Sequence, residues 1–419
     1  MQKLVIQGGK RLEGELVVHG AKNSALPLLA ATILSQTETM LHNCPELSDV
    51  DAACRILSYL GCKCSREGPS VTVDTSGLIN FDVPDSLMRE MRSSIVFLGA
   101  IMGRLGKCRL SFPGGCELGP RPIDLHLSAL RKLGVEIHEE HGYLDCDAPK
   151  GLKGGKITLS FPSVGATENI MLAAATAKGD TEIHNAAREP EIMDLAEFLN
   201  KCGAKISGAG ESTIYISGVE KLSGCYHSVV PDRIVTTTYL CCGAITRGEL
   251  IISRANYSHV ASIVPLLEHM GCQIYAYGEG NIYIKARKNL KAVPTVRTMP
   301  YPGFPTDAQA LIMALCSTVD GTSVFVENIF ENRYKHVNEL IRLGASIKVE
   351  GRVAIVEGVK KLSGASLEAT DLRGGASLVV AGLFAEGTTS ITNIYHIDRG
   401  YESLEKNLRQ IGANIKRIN

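Results

Sequence analysis

The chain has no surplus charge of either sign: Lys+Arg and Asp+Glu number 44 each in 419 residues. It therefore has no overall field to draw in nucleic acid or acidic lipid, and any anion site must come from a local cluster of basic groups. No apolar run reaches the ~20 residues of a membrane-spanning helix. The opening Met-Gln-Lys-Leu-Val-Ile-Gln-Gly-Gly-Lys lacks the apolar stretch of a secretory signal. Paired Cys-x-x-Cys spacing is missing as well. Cys62 with Cys64, and Cys241 with Cys242, have neither the spacing nor the histidine partners of a structural zinc site. Nucleotide-binding glycine patterns are also missing. Cysteine itself is plentiful. The thirteen, an odd number scattered through apolar segments, read as free thiols in a reducing, cytoplasmic setting.

An apolar fraction of 45% and a charged fraction of 21% describe a soluble globular protein. At this length two domains are expected rather than one core. The sequence also repeats itself weakly. A helix-ending pattern close to Leu-x-x-Leu-Gly-x-x-Ile recurs with its glycine at Gly61, Gly134, Gly203, Gly271, Gly344 and Gly412. Each glycine suits the left-handed position just past a helix C-terminus. Each unit also holds an earlier, nearly all-apolar helix, at 24–34, 93–105, 166–177, 235–246, 308–319 and 377–384. A strand is expected after each, at 39–41, 108–111, 181–184, 250–252, 323–326 and 389–392. A helix apolar all round should be buried on all sides, whereas the second helix of each unit, such as 124–133 with Leu127, Leu130 and Leu133 on one face, should meet solvent on the other. The reading is six α+β units, three per domain, dividing near residue 230.

Polar or charged residues precede the apolar helices: Lys22 and Asn23, Arg92, Ser163, Asp232 and Arg233, Asp307, and Asp371 to Arg373. Asp, Ser and Asn at such places serve as ordinary helix caps or as ligand contacts. A cation there opposes the helix macrodipole, so Lys22, Arg92 and Arg373 require a compensating anion. If the helix starts converge, their N–H groups and these side chains would together bind a polyanion. Residues 113–126, Pro-Gly-Gly-Cys-Glu-Leu-Gly-Pro-Arg-Pro-Ile-Asp-Leu-His, add a thiol, Cys116, in a glycine-rich turn near Arg121. A cation beside a thiol stabilises the thiolate, which makes Cys116 a candidate reactive group. The glycines and the lack of apolar anchors suggest that residues 114–120 form a lid closing over a ligand.

Nine segments in order carry a family resemblance: 20–27, 91–94, 113–126, 163–167, 188–191, 302–307, 327–333, 371–373 and 398–402. They include Gly-Ala-Lys-Asn-Ser-Ala-Leu-Pro at the first, Pro-Gly-Phe-Pro-Thr-Asp at the sixth and Asp-Arg-Gly-Tyr-Glu at the last. With them the chain resembles the enolpyruvyl transferases, in the branch that acts on UDP-N-acetylglucosamine, from about residue 3 to residue 418. The resemblance implies a two-domain inside-out α/β barrel, each domain three βαβαββ units around buried helices. It implies one domain over 22–229 and a discontinuous one from 1–21 plus 230–419, with the substrate cleft between them. The implied reaction moves the enolpyruvyl group of phosphoenolpyruvate to the 3′-hydroxyl of UDP-N-acetylglucosamine. It releases phosphate through a tetrahedral ketal, without a cofactor, in the first committed step of peptidoglycan synthesis.

The same resemblance implies the roles. Cys116 is the candidate acid at C3 of phosphoenolpyruvate or the site of a covalent adduct, and hence the target of the thiol-alkylating epoxide fosfomycin. Asp307 takes or orients the hydroxyl proton, or caps its helix, or does both. Lys22, Arg121 and Arg399 hold the phosphate and carboxylate of phosphoenolpyruvate, with Arg373 at the carboxylate and Asn23 on the developing intermediate. Arg92, Arg121, Pro122, Ile123, Asp124, Leu125, Ser163, Val164, Gly165, Asp307 and Ile329 line the UDP-sugar pocket. Arg333, Glu189, Asp232, Asp371, His126 and His396 are further candidates for supporting roles, and Arg188 with Glu189 for a salt link. Two departures stand out. Phe161-Pro162 replaces a basic and an apolar residue common among relatives, and Glu117 puts a carboxylate beside the thiol, opposing thiolate formation. The rival readings are a shikimate-pathway enolpyruvyl transferase, which lacks the Gly-Gly-Cys turn, and a catalytically silent paralogue that binds nucleotide sugar. The oligomeric state is left open.

Overall fold

The computed structural model describes residues 2–112 and 123–419, so Cys116, Glu117, Arg121 and Pro122, with the expected 114–120 lid, lie outside the described residues. The described residues form two compact units, one of residues 20–112 and 123–230, the other of residues 2–19 and 231–419.

Each unit carries three four-stranded sheets of mixed direction. In the unit of 20–230, Thr39–His42 pairs in parallel with Tyr226–Ser228 and antiparallel with Ser70–Asp74, which pairs in turn with Lys63–Glu67. Lys107–Ser111 and Asp180–His184 organise the other two sheets in the same order. In the other unit the equivalent strands are Glu249–Ser253, Thr322–Val326 and Thr388–Thr392. The start of the chain completes two of these sheets. Glu13–Val17 runs parallel to Glu249–Ser253, and Lys3–Gln7 lies antiparallel between Thr388–Thr392 and Asn414–Ile418. All six strands expected from the repeat are present, each within a residue of its expected bounds.

The six apolar helices are Lys22–Ala31, Phe97–Leu105 and Val164–Ala174 in one unit, and Arg233–Ile245, Thr306–Cys316 and Leu372–Phe384 in the other. They are buried along most or all of their length, and in Arg233–Ile245 every residue is buried. Having no polar face, they can only be covered on all sides. The last helix begins five residues before the expected 377. Gly374 and Gly375 have poor intrinsic helix propensity, but the Asp371 carboxylate accepts the N–H groups of Arg373 and Gly374, both at 3.0 Å, and starts the helix there. Both glycines are also required by crowding, since a Cβ would lie 2.7 Å from Asp371 Oδ2 at one and 2.8 Å from Ile397 Cγ1 at the other.

Close helix contact in the 20–230 unit depends on Asn169. Its Oδ1 accepts the Gly99 N–H at 2.6 Å, and its Nδ2 donates to the Ile95 carbonyl at 3.0 Å and to His126 Nδ1 at 2.7 Å. The backbones can meet because residue 99 has no side chain: a Cβ would sit 2.3 Å from the Asn169 carbonyl oxygen. Gly99→Ala should therefore lower unfolding stability by about 1–3 kcal/mol through overpacking, despite gaining up to about 1 kcal/mol in helix propensity. Urea unfolding of the variant checks this, and equal or greater stability would mean the helices are free to move apart.

His126 also ties stability to pH. Burial, with Arg92 nearby, lowers it from 6.5 to about 4. A histidine that stays neutral when folded binds its proton more readily in the unfolded chain, so it costs no stability above pH 6.5 and progressively more as pH falls towards 4. From pH 7 to pH 5 this amounts to about 2 kcal/mol. His126→Asn should remove that much of the loss, whatever its effect at pH 7. An unchanged difference between the two pH values in urea titrations would contradict it.

Candidate functional site

Each unit gathers polar groups at the starts of its buried helices. In the unit of 20–230, Lys22 opens Lys22–Ala31 with no side-chain cap on the helix. Its ammonium meets Asp49 Oδ2 at 2.6 Å, and both side chains are buried. Asp49 sits in the first turn of Ser48–Tyr59, where the macrodipole favours a carboxylate. The anion that Lys22 requires is thus supplied by its own unit. A second network fixes the backbone beside it. Asp194 accepts from Ser24 Oγ with one oxygen and bonds His227 Nε2 at 2.7 Å with the other. Its Oδ2 also accepts the Val230 N–H at 3.3 Å, while the Val230 carbonyl takes the Ala21 N–H at 2.7 Å. Asn23, next along, is half-buried.

Ser163 caps Val164–Ala174, its hydroxyl accepting the Ala166 N–H at 3.4 Å. Val164 and Gly165 are half-buried. His126 supports this stretch, because a Cβ on Gly165 would come within 3.0 Å of its ring. Arg92 is half-buried, Ile123 buried, Leu125 half-buried and Asp124 exposed. The expected Arg188–Glu189 salt link takes another form. The Arg188 guanidinium donates to the Gly210 carbonyl at 3.1 Å and lies 3.9 Å from Glu211, while Glu189 Oε2 accepts the backbone N–H of Arg188 at 3.0 Å.

In the unit containing 231–419, three helix starts share one charge cluster. Asp232 caps Arg233–Ile245, accepting from Ile234 and Val235 N–H, and Asp371 caps Leu372–Phe384. The helix between them differs. Thr306–Cys316 has no side-chain cap, and Asp307 in its first turn does not supply one. Its carboxylate is held instead by two guanidiniums, Arg373 Nε at 3.2 Å and Arg333 Nη2 at 3.4 Å. Arg333, buried although charged, also donates to the Thr306 carbonyl at 3.0 Å and 3.3 Å and lies 3.9 Å from Asp371 Oδ1. Glu327 completes the frame. It accepts from Thr298 Oγ1, Ile329 N–H and Phe330 N–H with Oε1, and from Thr306 Oγ1 with Oε2, which fixes the half-buried Ile329. Arg399 is half-buried at the end of the short helix Tyr395–Asp398. Arg417 grips the preceding residue, donating to both Asp398 oxygens at 2.6 Å and 2.9 Å. His396 is buried with its ring 4.1 Å from that of Tyr395.

This arrangement narrows the chemistry. Burial pushes the Asp307 carboxyl up, but Arg373, Arg333 and Arg233 outweigh it and hold it below the ordinary carboxylate range. Asp307 is therefore firmly ionised at neutral pH, an acceptor that can orient a hydroxyl but a weak proton base while the arginines crowd it. Carboxylates already occupy first-turn N–H groups of two of the three helices in this unit. An available donor lies elsewhere. Arg373 Nη1 is buried and has no hydrogen-bond partner among the described residues. A guanidinium N–H without an acceptor is costly in isolation and suited to a carboxylate or phosphate oxygen. Asp49, Asp194, His227, Glu327 and Arg417 were not legible as site residues, because each acts wholly or partly through contacts with residues far away in the chain. Among the described residues no group of three or more His, Cys, Asp or Glu could hold a metal ion.

Comparison with known proteins supplies the context. The model of the EPSP synthase (3-phosphoshikimate 1-carboxyvinyltransferase) family matches residues 6–408. UDP-N-acetylglucosamine 1-carboxyvinyltransferase 2 of Caldanaerobacter subterraneus subsp. tengcongensis is 54% identical over 420 residues, covering 100% of both chains. UDP-N-acetylglucosamine 1-carboxyvinyltransferase of Geotalea uraniireducens is 48% identical over 418 residues, again covering 100% of both. Among solved structures, the enolpyruvyl transferase NikO from Streptomyces tendae superposes with a TM-score of 0.89 at 26% identity, over 99% of this chain and 98% of that one. EPSP synthase from Acinetobacter baumannii, 18% identical with a TM-score of 0.78 and all of both chains covered, shares the fold. With a family model spanning nearly its whole length and relatives about half identical from end to end, the chain belongs to the EPSP synthase family of enolpyruvyl (1-carboxyvinyl) transferases.

Proposed function

We propose that this chain is a transferase that moves the 1-carboxyvinyl group of phosphoenolpyruvate to the 3′-hydroxyl of UDP-N-acetylglucosamine and releases phosphate, an early step of peptidoglycan synthesis. Both substrates are small molecules. The reading rests on full-length identity of 54% to a relative of that name, and the observation within the fold that carries it is the Asp307 carboxylate beside Arg373, whose Nη1 has no partner among the described residues. A carboxylate to orient a hydroxyl, next to a guanidinium with a spare donor for an anion, is what addition of an alcohol to an anionic enol phosphate needs.

In the addition step the sugar 3′-oxygen attacks C2 of phosphoenolpyruvate while C3 takes a proton. Cys116 supplies that proton or forms a covalent adduct. In the elimination step C3 gives up a proton, and the C2–O bond to phosphate breaks. Lys22, Arg121 and Arg399 bind the phosphate and carboxylate, Arg373 assists at the carboxylate, and Asn23 meets the tetrahedral intermediate. Lys22 does so while anchored to Asp49, which presents its charge in one direction at the cost of partial neutralisation. Arg92, Pro122, Ile123, Asp124, Leu125, Ser163, Val164, Gly165 and Ile329 contact the UDP-sugar. Asp307 gains basicity when Arg373 turns part of its charge towards a bound carboxylate, so the proton acceptor is activated by the substrate it serves. No helix among the described residues is long and apolar enough to cross a membrane, and the cytoplasm is the proposed location.

Phosphate release from phosphoenolpyruvate, strictly dependent on UDP-N-acetylglucosamine, tests the reading directly. A reduced, folded protein that binds the nucleotide sugar but releases no phosphate would support the silent-paralogue reading instead. Asp307→Ala should lower turnover by roughly 100- to 10,000-fold, the usual range for losing a general acid–base group, with little change in circular dichroism. Turnover like that of the unmodified chain would remove Asp307 from the mechanism. Cys116→Asp should keep measurable turnover and resist fosfomycin. Covalent inactivation of that variant at an unchanged rate, followed by intact mass, would show that the inhibitor reacts elsewhere.

A further inference from the structure

Outside the residues assigned to enolpyruvyl transfer, two thiols, Cys202 and Cys225, lie sulfur to sulfur beside basic groups. Cys202 follows the helix Pro190–Lys201, and Cys225 precedes the strand Tyr226–Ser228. Their sulfurs lie 3.5 Å apart, Cys202 donating to Cys225. The backbones are already joined, since the Cys202 carbonyl accepts the Ser223 N–H at 2.9 Å. Cys202 is buried and Cys225 half-buried. Two basic groups accompany the pair: Lys201, whose Nζ lies 3.2 Å from His227 Nδ1, and His227 itself. Glu197 bonds Lys201 at 2.7 Å and Asp194 bonds the far side of His227, so both are held in position.

We infer that Cys202 and Cys225 form an oxidant-responsive dithiol, a modification site in which hydrogen peroxide converts the pair to a disulfide. The Cys225 thiolate attacks a peroxide oxygen, the O–O bond breaks and hydroxide leaves as water, giving a sulfenic acid. The Cys202 sulfur then attacks the Cys225 sulfur, the S–O bond breaks, and the leaving hydroxide takes the Cys202 proton as a second water. The two thiols lose two electrons and two protons in all, and one peroxide becomes two waters. The sulfurs need to approach from 3.5 Å to about 2.05 Å, a small side-chain movement between segments whose backbones are already bonded.

Order of attack follows from the surroundings. The hydrogen bond from Cys202 lowers the Cys225 thiol against the opposing effect of burial, with His227 and Lys201 adding to it. Burial pushes Cys146 and Cys242 up to about 12, whereas Cys64, like Cys225, is lowered by the thiol beside it, Cys54. Thiolate character and access together select the attacking sulfur. The disulfide would cross-link the helix that carries Asp194 to the strand that carries His227, the two residues of the network that reaches Ser24 beside Lys22.

The test uses the full chain and its Cys116→Ser form, so that the turn cysteine does not consume the oxidant. Each is exposed to hydrogen peroxide at pH 7, blocked with iodoacetamide and mapped by peptide mass spectrometry. A Cys202–Cys225 disulfide, two hydrogens lighter and reversed by dithiothreitol, should form before Cys146 or Cys242 is oxidised. Cys202→Ser should leave a sulfenic acid on Cys225 that dimedone traps, and Cys225→Ser should leave Cys202 reduced. Alkylation of Cys225 in the reduced protein should rise with pH around a midpoint below the ordinary thiol value. Oxidation elsewhere while Cys225 stays alkylatable, or a midpoint at the ordinary thiol value of about 8.5, would overturn the assignment.

Discussion

Burying a helix on every side leaves only its ends able to present polar groups. This constraint organises both units. Leu372–Phe384 and Arg233–Ile245 are buried throughout nearly all or all of their length, so packing consumes their sides and concentrates unsatisfied N–H groups and charge at their starts. Small residues make the arrangement possible. Gly99 and Gly374 sit where a single added carbon would collide with a neighbouring helix or cap. The polar ends are in turn positioned by a tightly packed interior, which is what a site needs for fixed geometry.

The cost of gathering charge at buried ends is met locally. Lys22 has Asp49, Arg373 and Arg333 have Asp307, and Asp371 and Asp232 cap their own helices. An isolated buried cation would be severely penalised, whereas paired ones persist and break only with difficulty. The pairing also sets the resting chemistry. One of the guanidiniums that hold Asp307 ionised, Arg373, is also proposed to receive substrate, so substrate charge and carboxylate basicity are coupled through that side chain. The Cys202–Cys225 pair follows a similar logic on a smaller scale, with a thiolate stabilised by a neighbouring S–H and by bases that are themselves anchored.

Much of the architecture was legible beforehand. The recurring glycines at helix ends and the all-apolar helices gave six units and all six principal strands, because periodicity and helix termination are local properties. The late expected start of the last helix shows the limit: Gly374 and Gly375 read as unfavourable for helix, and a side-chain cap from Asp371 overrode them. For Asp307 the sequence left a cap and a catalytic carboxylate both open. The observed contacts exclude the cap, which no propensity argument could have done. Arg188 and Glu189, adjacent in sequence, suggested a salt link, yet the guanidinium turned to Gly210 and Glu211.

The amino-acid order alone determined the repeat, the burial of one helix per unit, the identity of the charged residues at their starts and the family those motifs match. Tertiary structure decided which charge neutralises which. Asp49, Asp194, Glu327 and Arg417 acquire their roles only when folding brings distant segments within about 3 Å of one another, the range in which hydrogen bonds and ion pairs act. Sequence spacing carries no record of such separations, whereas helix periodicity is written into every few residues.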